Sequence, residues 1–523
     1  MELFTMSSAP VRVGLALLST AALLLTSAVS SAGAAPSGAQ PGPRTPQANL
    51  DWRPCSDEDL PARARCTWVT VPRDWAEPST SGTYRIRVAR IAAVGDRIGV
   101  LTFNPGGPGG AGVGLLDLVY QWLPPEARDR FDVVAWDPRG VGRSEPQLRP
   151  CTWNQPTFPA TGPIDVTALT QEWYDAVAQA NEECTSLNAE HVGNLGTWQV
   201  IRDLDAIRSA LGERQITLWG MSYGTTVGRA YAQAFPSRLR ALVLDGAIDP
   251  APSMHSYMRE HIWSDVTAVQ RMLGAFGGRY TKTYNRAMRY LEENVLTSEG
   301  DTLTRWQFGF YMQALSTRQG SWPAAMKVLD QVERALADPR ERTAERVKRL
   351  VDLMDLSQLP DWSPDPLPTQ AGKSNDFNSI LGFVNCSDMH DRPSVEALAR
   401  AGDEAIGVGG TSYLVPLLRE GAQCAGLPPL GRSLPGLTTI LRLSPRPVVI
   451  NAVADNATPY LGARELANAF ARAPMVVYDG TQHVAYGRTS ACIDRPVTNY
   501  LVSLTLPPRS TVCPLAWRAP ART

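Results

Sequence analysis

The 523-residue chain carries 50 basic and 51 acidic residues, so no charge excess points to nucleic acid or an anionic membrane as its main partner. Its length suits one large α/β unit with an insertion rather than a single small domain. A small or neutral partner is expected.

Read from the N-terminus, Arg12 closes a weakly charged start, Val13 to Val29 is mostly Ala, Leu and Ser, and Ala32-Gly33-Ala34 offers small residues for cleavage. This pattern is expected of a secretory signal over residues 1–34. The apolar part is shorter than the roughly 20 residues a membrane span needs, so an extracellular protein with no stable membrane association is expected. Residues 35–49, rich in Pro, Gly, Ala and Ser, read as a flexible leader open to trimming. All eight cysteines (Cys55, Cys66, Cys151, Cys184, Cys386, Cys424, Cys492 and Cys513) lie beyond it. An even count in an exported chain suggests disulfides. On the order of a hundred pairings are open, and the sequential set is preferred because each loop is short. No C-x-x-C occurs and the histidines lack ligand spacing, so no metal site is expected.

From residue 50 to 250 the chain reads as the first part of an α/β core. The runs "TWVTVP", "YRIRVARI", "GVLTFNP" and "FDVVAWDPRG" are β-branched, bounded by turn residues, and predict four strands. Val200, Ile201, Leu204, Ile207 and Leu211 follow helical spacing with Thr197 as N-cap. "QITLWG", the helix Tyr223 to Phe235 and "LRALVLDG" continue the alternation, which predicts a mostly parallel, doubly wound sheet. Residues 251–438 lose strand alternation and read as a helical cap between the sixth and seventh predicted strands. Residues 439–523 return to the core with "RPVVINAVAD", "PMVVYDG" and a closing helix in "CIDRPVTNYLVSL".

Gly220-Met221-Ser222-Tyr223-Gly224 is a G-x-S-x-G pattern at a predicted strand-to-helix junction, the context in which it marks a nucleophile on a sharp turn. A serine hydroxyl needs a base. Of five histidines, His191 precedes the serine, His255 and His261 open the insertion and His390 lies within it. His483, in the loop after the last predicted strand, is the expected base. Asp455, after the penultimate strand, is the expected carboxylate, with Asp249 in "LDGAIDP" the alternative. Asp479, four residues before His483, is expected to support the turn. "NPGGPGGAG", residues 104–112, follows the third strand with five glycines. Bare backbone there suits a site for a developing oxyanion, with the N–H groups of Gly107 and Tyr223 as donors. No G-K-[ST] follows, so phosphate binding is not expected.

Together with "FDVVAWDPRGVGRS", "LWGMSYGT", "LVLDGAIDP", "DNATP" and "GTQHVAYGR", these stretches resemble the secreted tripeptidyl and prolyl aminopeptidase family of α/β-hydrolases. The resemblance runs from about residue 50 to the end. It implies a serine exopeptidase that releases short peptides, typically tripeptides, from free N-termini through Ser222, His483 and Asp455, with a helical cap and no cofactor. The sequence departs from the family pattern at Asn456 and Ala457, where it usually has Pro and Val, at Ala111, where Ser is common, and at the start of "FVNCSD". A free amine must meet a carboxylate, because burying an unpaired ammonium is costly; Asp388 is the first candidate and Glu260 the second. A secreted esterase or lipase using the same three residues remains an alternative, as does a non-catalytic binding protein on the same scaffold.

Overall fold

In the computed structural model the described residues are 50–517, apart from 56–59, 152–155, 157, 160–161, 252, 299–300, 338–347, 349, 351–373, 390, 411–412 and 435–439. The expected signal and leader lie outside them.

The strands are β1 (Arg53–Pro54), β2 (Arg65–Pro72), β3 (Thr83–Ile91), β4 (Gly99–Asn104), β5 (Phe131–Trp136), β6 (Ile216–Met221), β7 (Leu239–Asp245), β8 (Leu296–Ser298), β9 (Asp301–Leu303), β10 (Val448–Ala452), β11 (Met475–Tyr478) and β12 (Ser510–Cys513). Among the described residues, ten of them form one sheet in the order β1-β2-β3-β5-β4-β6-β7-β10-β11-β12. The first three pairings are antiparallel; every pairing from β5 to β12 is parallel.

Strand residues alternate between two apolar cores because side chains two apart share a face. Leu218, Leu242 and Leu244 pack on one side, and Trp219, Met221 and Val243 on the other. Both faces are therefore covered, as a parallel sheet requires. The helices before the insertion are α1 (Leu116–Trp122), α2 (Pro125–Arg128), α3 (Val166–Leu187), α4 (Thr197–Ala210) and α5 (Gly224–Ala234). Val200, Ile201 and Leu204 of α4 and Val227 and Tyr231 of α5 lie in the first core. Each such side chain, fully buried, contributes about 1.5–3 kcal/mol.

The insertion contains α6 (Met254–Phe276), α7 (Gly278–Glu293), α8 (Arg305–Ser316), α9 (Trp322–Ala337), α10 (Ser374–Asp388), α11 (Val395–Gly409) and α12 (Leu414–Gly421), followed in the core by α13 (Tyr460–Ala469) and α14 (Ala491–Ser503). Ser253 starts α6 with a capping box: its hydroxyl accepts the Ser256 N–H, and the Ser256 hydroxyl accepts the Ser253 N–H.

Four features differ from the sequence reading. Two short strands, β1 and β12, extend the sheet at its edges, so the insertion follows its seventh strand. β8 and β9 form a small hairpin inside the insertion. Thr197 is the first helical residue of α4, with Gly196 at the N-cap, because its hydroxyl is engaged elsewhere. The helical layer also recruits α3, from before the serine: Val166, Leu169, Trp173 and Val177 share an apolar cluster with Met258 and Ile262 of α6 and Leu398 and Ala405 of α11. Disulfides join Cys55 to Cys66, Cys151 to Cys184, Cys386 to Cys424 and Cys492 to Cys513, which is the sequential set.

Candidate active site

Ser222 sits between β6 and α5 at φ 55°, a left-handed conformation that a non-glycine residue adopts at a cost of about 1–2 kcal/mol. The flanking glycines make the turn sterically feasible. A Cβ on Gly220 would stand 2.2 Å from the Gly224 carbonyl oxygen, and one on Gly224 would stand 2.3 Å from the Asn104 carbonyl oxygen. The Ser222 N–H donates to the Asp245 carbonyl at 2.9 Å, so the end of β7 braces the turn.

The glycine-rich loop after β4 lies against the same turn. A Cβ on Gly106 would come within 2.7 Å of Ser222 Cβ and 3.1 Å of the Tyr223 nitrogen. The Gly106 N–H is taken by Asn104 Oδ1 at 3.1 Å. Among the described residues, the N–H groups of Gly107 and Tyr223 have no hydrogen-bond acceptor. Asp137, fully buried, accepts the N–H of Val113 at 2.8 Å and of Arg143 at 2.9 Å, tying this loop to the end of β5. Burial pushes the Asp137 carboxyl up to about 6, against those two hydrogen bonds.

His483 Nδ1 stands 2.9 Å from Asp455 Oδ2 and 3.1 Å from Oδ1. The Asp455 carboxylate is fully buried, while the imidazole keeps 17% of its surface. Asp455 also accepts the N–H of Ala457 and of Thr458, both at 3.0 Å, and the Thr458 hydroxyl at 2.9 Å. With Nδ1–H directed at a carboxylate, Nε2 is left as the basic nitrogen. Asp249, the alternative acid, instead accepts the Ala251 N–H at 2.8 Å. Asp479 pairs with Arg271 through its side chain and donates its N–H to the Cys513 carbonyl at 2.8 Å.

The two candidate amine acids lie in different settings. Asp388, the last residue of α10, accepts the Thr197 N–H at 3.0 Å and its hydroxyl at 2.5 Å. The Thr197 hydroxyl also contacts the Tyr223 hydroxyl, so a short polar chain joins Asp388 to the residue after Ser222. Burial pushes Asp388 up to about 6, opposed by the Thr197 bonds and by Arg229. Glu260, half-buried, lines a small cleft with Asp249, His261 and Ala457. Burial and the like charge of Asp249 push Glu260 upward, and His261 opposes them.

Two contributors escape motif reading. The fully buried Asp245 carboxylate accepts the N–H of Ala485 at 2.9 Å and of Tyr486 at 3.0 Å, fixing the loop in which Val484 takes φ 58°. Gly246, at φ 66°, leaves room for the imidazole: a Cβ there would stand 3.0 Å from His483 Cε1. An acid closing an apolar run, as in "LVLD", is the one sequence signal for Asp245.

Residues 99–293 match the alpha/beta hydrolase fold family, and residues 416–513 match the TAP-like protein family. Carboxylesterase B of Mycobacterium tuberculosis is 31% identical over 97% of this chain and 98% of its own length. The serine protease Hip1 of the same species is 29% identical over 95% and 96%. The tripeptidyl aminopeptidase of Streptomyces lividans is 28% identical over 90% and 87%. By its fold, its strained serine turn and its near-full-length similarity to these relatives, the chain belongs to the α/β-hydrolase superfamily, carries a TAP-like C-terminal part, and is related to the serine hydrolases.

Proposed function

We propose that this protein is an exported serine exopeptidase that removes short peptides, tripeptides foremost, from free N-termini. The observation that carries the reading is the Asp388 carboxylate, which the cap brings to Thr197 and, through that hydroxyl, to Tyr223. A buried carboxylate linked by one polar chain to the residue after Ser222 suits a substrate bearing an ammonium; a neutral ester has no use for it. The name of the Streptomyces lividans relative supports the same reading, and four disulfides fit an oxidising location.

In this mechanism Ser222 Oγ attacks the scissile carbonyl carbon while His483 Nε2 takes the hydroxyl proton. Asp455 holds the Nδ1–H and stabilises the imidazolium. The N–H groups of Gly107 and Tyr223 receive the oxyanion. Collapse of the tetrahedral intermediate breaks the C–N bond, His483 protonates the leaving amine, and water releases the acyl group by the same steps in reverse order.

A second reading, a carboxylesterase, is favoured by the name of the 31% identical relative. Three substrates separate the two: a free-amine tripeptide anilide, its N-acetylated form and a short-chain ester. The exopeptidase reading expects the first to be cleaved with the highest kcat/KM and the second to be refused. Ester cleavage with neither anilide turned over overturns it. Ser222→Ala is expected to abolish every activity with the fold intact, and a variant of normal activity refutes the assigned nucleophile.

A further inference from the structure

One cap helix is bonded to both loops that carry the proposed acid and base. His261, Ser264 and Asp265 of α6 stand at i, i+3 and i+4 and so share a face. His261 Nε2 is 2.8 Å from the Ala457 carbonyl oxygen, the Ser264 hydroxyl donates to the Asp455 carbonyl, and Asn456 Nδ2 donates to Asp265 Oδ1 at 2.8 Å. Three consecutive loop residues, 455 to 457, are therefore each held from the cap. Further along, Arg271 Nη2 donates to the Asp479 carbonyl at 2.9 Å and pairs with its carboxylate, at the start of the loop that carries His483. At the other end, the N–H groups of Met254 and His255 donate to the Asp391 carboxylate at 2.8 and 3.2 Å, three residues beyond Asp388.

These contacts are more specific than a cap resting on a core requires. Ser264, Asp265 and Asn456 are all buried, and a buried carboxylate without donors is costly. The Asp455 carboxylate is already occupied by Ala457, Thr458 and His483, so it sets the shape of its own loop. From the sheet side, Asn451 Nδ2 holds the Thr458 carbonyl at 2.9 Å. From the opposite flank, α6 holds Asp455, Asn456 and Ala457. Asn456 is also where this sequence departs from the Pro of the family pattern, and proline has no side-chain donor to make the bond to Asp265.

We infer that Ser264 and Asp265 are positioning residues for Asp455, so that the seating of the cap and the alignment of the acid with His483 are one mechanical event. The inference rests on the triad reading proposed above. Its distinctive consequence concerns substrates too small to touch the cap: their turnover should still depend on α6.

The test uses the full-length protein, p-nitrophenyl acetate as the small substrate and a fluorophosphonate as the serine label. Ser264→Ala removes one hydroxyl and leaves no buried charge. It is expected to lower kcat for the acetate about tenfold with KM within about twofold, and to slow labelling in parallel. Asp265→Asn and Asn456→Ala are expected to be non-additive on kcat, since they share one bond. Unchanged acetate kcat and labelling rate in Ser264→Ala, with only melting temperature or peptide KM altered, overturn the inference. Should Asp265→Asn not fold, Ser264→Ala decides alone. Normal activity in Ser222→Ala is a separate result, which sinks the triad reading and the inference with it, whereas an inactive Ser222→Ala beside an unaffected Ser264→Ala overturns the inference alone.

Discussion

The Asp245 carbonyl accepts the Ser222 N–H at 2.9 Å while the carboxylate of the same residue accepts two N–H groups just beyond His483. One side chain and its own backbone thus register the proposed nucleophile against the proposed base. Asp245→Asn presents an N–H₂ to one of the two N–H donors and leaves that donor unsatisfied, at about 1–3 kcal/mol. A lower melting temperature and a fall in kcat of about a hundredfold are expected. Normal kcat in a correctly folded variant contradicts the link.

Gly106 tests the oxyanion assignment. Alanine there places a methyl 2.7 Å from Ser222 Cβ and 3.1 Å from the Tyr223 nitrogen, at a backbone φ of 100°. The expected loss in kcat is about 10²–10³-fold, the size seen when one oxyanion donor is lost. Steady-state kinetics beside a circular dichroism spectrum separates this from misfolding. A fully active Gly106→Ala argues against the donor pair.

Asp388→Asn and Glu260→Gln compare the two amine candidates. The acid that meets the substrate ammonium is expected to raise KM for a free-amine tripeptide anilide about tenfold or more, with acetate-ester kinetics unchanged. Asp388 is expected to show this pattern and Glu260 to show little. The reverse ranking transfers the role to Glu260 and its cleft.

Burial holds Asp137, Asp245 and Asp388 each at about 6, above the value of about 4 for an unfolded aspartate. A carboxyl that keeps its proton more tightly when folded contributes stability fully below about pH 4. That contribution is lost as pH rises through about 6. Thermal melts at pH 5 and pH 7.5 check the sign: these groups favour the lower pH, and Asp388→Asn is expected to narrow the difference. A wider gap in that variant contradicts it.

The strands were legible because apolar runs of β-branched residues in a two-faced sheet leave little else for the sequence to mean, and Ser222 and His483 stood out by their place after particular strands. The place of the glycine-rich loop after the third strand names Gly107, but the Asn104 side chain that consumes the neighbouring Gly106 N–H is visible only in the fold. "STVC" at β12 is too short and polar to announce a strand. The gripping face of α6 was hidden for a different reason. His261, Ser264 and Asp265 read as the wet side of an amphipathic helix, and the partners of Ser264 and Asp265 lie 191 residues away. Helix α3 gives no sign in the sequence of joining the helical layer because its apolar stripe comes before the serine, far along the chain from the helices it packs against.

The edge strand β12 has a consequence for the life of the chain before it is finished. Its Cys513 is bonded to Cys492, and its carbonyl takes the Asp479 N–H at the root of the histidine loop. A ribosome makes residues 510–513 after every other strand of this sheet, so the buttress for the imidazole arrives last. A polypeptide clipped before residue 510 is expected to keep Ser222, Asp455 and the glycine-rich loop yet lack the carbonyl that braces Asp479, and so to lose the proposed hydrolysis.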